Sequence, residues 1–172
     1  NAQAGSIHNS LSYSVMAYPE YVGGEISLVS IAYKPTTLMI DDIAALQYLY
    51  GVDTSTNSDD TTYTLGSFSD DNLDTIYASI WDAGGNDTFS WSDQSTIASI
   101  NLNGGSFSCF GNITGVDDPA IKSDSWSAGD GLLGIAYNSV IENAIGGSAS
   151  DNVVGNSVAN TLYGGAGSGV KD

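Results

Sequence analysis

Ile141-Glu142-Asn143-Ala144-Ile145-Gly146-Gly147-Ser148-Ala149-Ser150-Asp151-Asn152-Val153-Val154-Gly155-Asn156-Ser157-Val158-Ala159-Asn160-Thr161-Leu162-Tyr163-Gly164-Gly165-Ala166-Gly167 is the stretch that decides the fold. Gly146, Gly155 and Gly164 stand nine residues apart. Gly146 and Gly155 are each followed by a small polar turn, an acidic or amide residue at the sixth place, and an apolar residue at the eighth. This is the calcium-binding nonapeptide G-G-x-G-x-D-x-U-x, which builds a parallel β-roll. The glycines permit the tight turn, and aspartate with turn carbonyls supplies hard oxygens for calcium. Val153 and Leu162, at the eighth place, are expected to point into a core shared between stacked turns.

The repeats are not equal. Asp151 holds the ligand place in the first, where Ala149 replaces the expected glycine. Asn156 and Asn160 give the second an uncharged oxygen supply. The third, Gly164 to Asp172, has no aspartate at its sixth place, and Lys171 stands where the apolar residue belongs. The bland alternative is a Gly/Asn/Ser-rich loop, but a register of nine kept through three turns argues against it.

The wider composition agrees. The 172 residues carry a net charge of −17, with three lysines and no arginine, which argues against nucleic acid and an anionic membrane surface as partners. Glu20, Glu25 and Glu142 are the only glutamates among 20 acidic residues, so aspartate dominates. A salt-adapted surface would use both acids. Aspartate with 21 glycines fits turns and metal loops. Cys109 is alone, so no internal disulfide forms, and metal binding is the alternative staple for a protein working outside the cell. No apolar run reaches the ~18 residues of a membrane span, and no signal-peptide pattern opens the chain.

Asp41 to Tyr50 reads as a helix, with Asp41 as its cap or as a charge favouring its positive N-terminal end, Ile43, Leu46, Leu49 and Tyr50 on one face, and Gly51 as its stop. Short strands are expected within Ile76 to Trp81, Thr96 to Leu102 and Gly134 to Ile145. Ser55 to Asp60 and Gly115 to Gly131 read as polar loops. A boundary between two units falls near Gly51. Trp81-Asp82-Ala83-Gly84-Gly85-Asn86-Asp87-Thr88-Phe89 is a second acidic turn, where two carboxylates flank Gly-Gly. It is a plausible calcium cage and also ordinary turn punctuation. Tyr13-Ser14-Val15-Met16-Ala17-Tyr18-Pro19 reads by composition as a strand entering a turn, with Met16 as core filler. His8 is the one histidine, and with no second it makes no zinc site.

In chain order, S-V-M-A-Y, L-M-I-D-D-I-A-A-L-Q-Y-L-Y-G, W-D-A-G-G-N-D-T-F, I-N-L-N-G-G-S-F-S and I-E-N-A-I-G-G-S-A-S-D resemble the second half of a serralysin, a secreted bacterial zinc metalloprotease of the metzincin clan. The likeness runs from about Tyr13 to Gly167. It implies a mainly β fold, an RTX-type parallel β-roll over residues 52–172, preceded by the end of a metzincin α+β protease domain over residues 1–51. It also implies that Met16 is a buried methionine turn beneath the zinc, and that Tyr18 approaches the zinc and hydrogen-bonds the oxyanion. Calcium ligands are implied at Asn57, Asp59 and Thr61, at Asp82, Gly84, Gly85 and Asp87, and at Glu142, Gly147, Ala149 and Asp151. The glycine, alanine and Asn57 positions would act through carbonyls. The family carries arginine and glycine where Asn57 and Asp59 stand.

One departure bears on chemistry. H-E-x-x-H-x-x-G-x-x-H, which supplies three zinc ligands and the water-activating glutamate, is absent from the sequence. The expectation is therefore part of a secreted, extracellular endopeptidase, inactive alone, whose zinc ligands lie in a missing N-terminal half. Calcium and zinc are the implied cofactors; peptide or protein substrates, that missing half and a proteinaceous inhibitor are the implied partners. The alternative is a stand-alone calcium-binding RTX module for folding, export or adhesion, though such a module has no use for a methionine turn. An RTX lipase lacks its G-x-S-x-G.

Overall fold

The computed structural model describes residues 8–17, 35–68, 76–110 and 131–166. Residues 18–34 and 111–130, which include Tyr18 and most of the second polar loop, lie outside the described residues, as do positions 167–172 of the third repeat. One α-helix, α1 (Ile40–Tyr50), and a 3-10 turn (Leu65–Phe68) are the helical elements among the described residues. The rest is strand and turn: β1 (Thr62–Thr64), β2 (Tyr77–Ile80), β3 (Thr88–Ser90), β4 (Ala98–Asn101), β5 (Phe107–Phe110), β6 (Gly131–Ile135), β7 (Asn143–Ile145), β8 (Asn152–Val154) and β9 (Thr161–Tyr163). The fold is mainly β, as the sequence predicts.

The nine-residue repeat appears directly as geometry. β7, β8 and β9 begin at residues 143, 152 and 161, and successive strands fall in alternate sheets. One sheet runs β1-β3-β7-β9 and is parallel throughout. The other runs β2-β6-β5-β4-β8 and is mixed. There β2–β6 and β4–β8 are parallel, whereas β4–β5 and β5–β6 are antiparallel. The departure from a purely parallel roll begins at the turn after β4. Gly105, at φ +79°, sits there in a conformation that suits glycine and sends the chain straight back along β4.

Alternating burial fills the space between the sheets. Tyr63, Phe89, Ala144 and Leu162 form one cross-strand row, and the first three are buried. They meet Ala78, Ile80, Ile100, Leu133 and Ile135 of the facing sheet, with Val153 packed at the edge. Leu162 departs from expectation. It is 43% exposed, because β9 ends its sheet and no described strand lies beyond it.

A second cluster lies on the outer face of the mixed sheet, where Tyr13, Met39 and Ile40 pack on Tyr77, Phe107, Cys109 and Leu132. It anchors the start of α1. The helix begins one residue before Asp41, and Asp42 performs the reach-back: its Oδ2 accepts the Met39 N–H at 3.0 Å. Asp41 instead accepts from His8 and from the Tyr137 hydroxyl. The face through Leu46, Leu49 and Tyr50 is not core here; Leu49 is 66% and Tyr50 81% exposed. Gly51, at φ +89°, stops the helix as expected, its N–H donating to Gln47 O.

Candidate metal centre

The linking loop after Gly51 is folded onto the acidic turn. Trp81 Nε1 donates to Asp53 O at 3.0 Å, Asn57 Nδ2 donates to Trp81 O at 3.0 Å, and the Ala83 N–H reaches Thr56 O. Asp53 accepts from the Ser55 and Thr56 hydroxyls, which hold its pKa down at about 2. Gly85, at φ +135°, allows the closest approach: a Cβ there would lie 2.7 Å from Asp59 O. Asn86 N–H donates to Asp60 Oδ1, and Thr61 N–H donates to Asp87 Oδ1 at 2.8 Å. Asn57, Asp59, Thr61, Asp82, Gly84, Gly85 and Asp87 are thus gathered by two adjoining turns.

At the centre Asp82 and Asp87 are both buried. Asp82 Oδ1 accepts the Gly84 N–H at 2.9 Å, and Oδ2 accepts the Tyr63 hydroxyl at 2.5 Å. Asp87 Oδ2 is buried with no hydrogen-bond partner. Burial pushes the Asp87 pKa up to about 6, and the negative charges of Asp82 and Glu142 add to it, against the Thr61 N–H. Tyr63 is likewise raised, by burial first and then by its bond to Asp82.

Glu142, grouped with Asp151 in the sequence, also reaches this turn: its Oε2 accepts the Asp87 N–H at 2.8 Å. Asp151 stands apart in the first nonapeptide turn with Gly147 and Ala149. Its two oxygens accept the Ala98 N–H at 2.8 Å and the Gly147 N–H at 2.6 Å. Among the described residues no three His, Cys, Asp or Glu side chains form a metal-holding group. A calcium site does not need such a trio, since calcium takes six to eight oxygens and accepts backbone carbonyls among them. A buried carboxylate oxygen without a donor, beside a second buried carboxylate, is the donor chemistry that a hard cation satisfies.

Met16 lies in a turn and is 80% exposed in this chain, whereas the family likeness implies burial beneath a zinc site formed with residues outside it. The turn is pinned from behind: Ser14 Oγ and the Val15 N–H both donate to Asp42, and the Met16 N–H donates to Ser14 Oγ. These bonds fix the backbone while the methionine side chain stays exposed. His8 pairs with Asp41 at 2.7 Å.

A family model for the serralysin C-terminal region of peptidase M10 matches residues 42–170. The chain belongs to the serralysin C-terminal family. It is 36% identical to metalloprotease AprA of Pseudomonas entomophila (strain L48) over 87% of this chain and 30% of that protein. It is 36% identical to serralysin of Proteus mirabilis over 90% of this chain and 29% of the relative. Serralysin C of Dickeya chrysanthemi is 43% identical over 67% of the chain and 22% of its own length. The chain therefore spans less than a third of these relatives.

The amide network of the second nonapeptide is what sequence reading passed over. Asn156 and Asn160 read as uncharged oxygen donors, whereas their amide groups donate as well as accept. The paired asparagines four apart, in place of Gly and Asp, were the available signal.

Proposed function

We propose that this chain is the C-terminal portion of a secreted, serralysin-like zinc metalloendopeptidase, with residues 1–51 closing the protease domain and residues 52–172 forming a calcium-stabilised RTX β-roll. The family match over residues 42–170 carries the reading. Asp82, Asp87 and Glu142, with carbonyls of Asn57, Asp59, Gly84 and Gly85 and with Thr61, would hold calcium. Asp151, with Gly147 and Ala149, would hold a further ion. Calcium there supplies positive charge to buried carboxylates and couples turns that otherwise repel.

Zinc would be bound by residues outside this chain and would supply Lewis acidity for peptide hydrolysis. This chain's own part is to set the floor of the site with the Met16 turn and to offer the Tyr18 phenol as a hydrogen-bond donor to the oxyanion. The exposed Met16, Leu49 and Tyr50 support a protease portion over a stand-alone calcium module, which would leave all three in water. Protein or peptide substrates, the rest of the protease domain and a proteinaceous inhibitor are the proposed partners, and the extracellular space the proposed site of action.

The test is the parent polypeptide with its zinc half, assayed for zinc content and casein hydrolysis. Tyr18→Phe should lower turnover more than it weakens substrate binding, because the hydroxyl acts in the transition state. Unchanged turnover would remove Tyr18 from catalysis.

A further inference from the structure

We propose that the second nonapeptide turn, residues 155–160, is a calcium-free clasp closed by the side-chain amides of Asn156 and Asn160. The inference goes beyond the calcium reading, since it concerns a turn that holds without an ion. In the first nonapeptide, Asp151 at the sixth place accepts the N–H of Gly147 at the second, at 2.6 Å. In the second, Asn160 Oδ1 accepts the N–H of Asn156 at 2.9 Å, the same bond at the same two places. The turns differ in the other side-chain atom. Asp151 has a second oxygen there. Asn160 has Nδ2, which donates to Glu142 O at 2.9 Å and to Asn156 Oδ1 at 2.9 Å.

Asn156 extends the network. Its Nδ2 donates to Leu102 O at 3.0 Å and to Ile141 O at 2.8 Å, while its Oδ1 also accepts the Val158 N–H. Asn103 Nδ2 returns a bond to Gly155 O at 2.9 Å. Three stretches of chain, at Leu102–Asn103, Ile141–Glu142 and 155–160, are therefore sewn together by side-chain amides, beside the backbone bonds from Leu102 N–H to Val154 O and from Thr161 N–H to Glu142 O. The orientations follow from their surroundings: the carbonyls of Leu102, Ile141 and Glu142 take N–H donors, and the Asn156 N–H needs an acceptor. An N–H aimed at a carbonyl supplies the positive end that calcium would supply, without an ion. A cation cannot share that space with four donor hydrogens. The clasp thus ties β8 and β9 to the roll at any calcium concentration that leaves the chain folded, while the acidic turn at Asp82 and Asp87 waits for the ion.

The measurement uses the 172-residue chain in saturating calcium, with melting followed by circular dichroism and bound calcium counted by titration calorimetry. Asn160→Ala and Asn156→Ala should each lower the melting temperature by roughly 2–10 °C, from the lost hydrogen bonds. The double variant should fall short of the sum, since the two amides form one network. The number of calcium ions bound should not change. Asn160→Asp would face its carboxylate toward Glu142 O and Asn156 Oδ1, so it should raise the calcium needed for folding by roughly tenfold. Loss of one bound calcium in Asn160→Ala, or an unaltered melting temperature, overturns the clasp. If the variants do not fold, side-chain amide exchange in the unaltered protein decides: slow exchange at Asn156 and Asn160 supports the clasp, and free-amide rates overturn it. Should the unaltered protein bind no calcium, the calcium reading fails while the melting losses still test the clasp.

Discussion

Asp87 is the residue on which charge, burial and fold meet. Its pKa of about 6 against an ordinary 3.8 means that the metal-free folded chain holds a proton the unfolded chain has released. The stability this gives is fully present below about 3.8 and is lost as pH rises through about 6. Calcium requires the ionised carboxylate, so its stabilising effect should grow over the same window. In chelator the β content should therefore fall between pH 4.5 and 7.5, and in millimolar calcium it should not. Asp87→Asn separates the two effects, because it removes the buried charge and keeps an acceptor for the Thr61 N–H. At pH 7.5 it should keep more β content than the unaltered chain in chelator and melt lower in calcium. If it keeps no more β content in chelator and melts lower in calcium, Asp87 is a plain structural acceptor. The two carboxylates flanking Gly-Gly made this turn legible in the sequence. The partnership of Glu142 with Asp87 was not, since it joins residues 55 apart through the β3–β7 pairing.

At the scale of elements, periodicity decided what could be read. The nine-residue spacing set β7, β8 and β9 and their alternation between sheets before any contact was known. The reversal that makes β4, β5 and β6 antiparallel has no such period. It depends on local turn geometry at Gly104–Gly105, where Asn-Gly-Gly signals a turn without saying to which strand the chain returns. The helix was legible in extent and in its acidic first turn, but not in which aspartate reaches back to the N-cap, because Asp41 and Asp42 are equivalent as sequence and differ only in what lies opposite. Asp42 binds the Met39, Ser14 and Val15 donors and so couples α1 to the Met16 turn. Asp42→Ala should therefore cost about 1–3 kcal/mol and increase amide exchange at residues 14–16 more than in β3 or β7. Equal increases everywhere would mean that the aspartate acts only through global stability. In the core, Phe89→Ala removes the fully buried centre of the Tyr63–Phe89–Ala144 row and should cost about 3–5 kcal/mol, read from denaturant unfolding in saturating calcium.

For the whole molecule the governing quantity is a net charge of −17 held in 172 residues with no disulfide. Like charges oppose any compact state, and the two carboxylates at the centre of the acidic turn are buried as well. The parallel sheet passes through that turn, since β3 follows Asp87 directly and pairs with β1 and β7 on either side. Weakening the turn therefore weakens the pairing on which the inter-sheet core rests. Calcium at extracellular levels, about 0.1–1 mM for modules of modest affinity, would neutralise the cluster there. The asparagine clasp should by contrast persist wherever the chain stays compact. Residues 52–172 are accordingly expected to be expanded in chelator and to gain their β content on adding millimolar calcium. The double change Asp87→Ala and Asp151→Ala should shift that transition to higher calcium. Asp151 contributes less, because both of its oxygens already have backbone donors. Circular dichroism across a calcium titration reads both effects, and equal β content with chelator and with millimolar calcium would falsify calcium-driven folding.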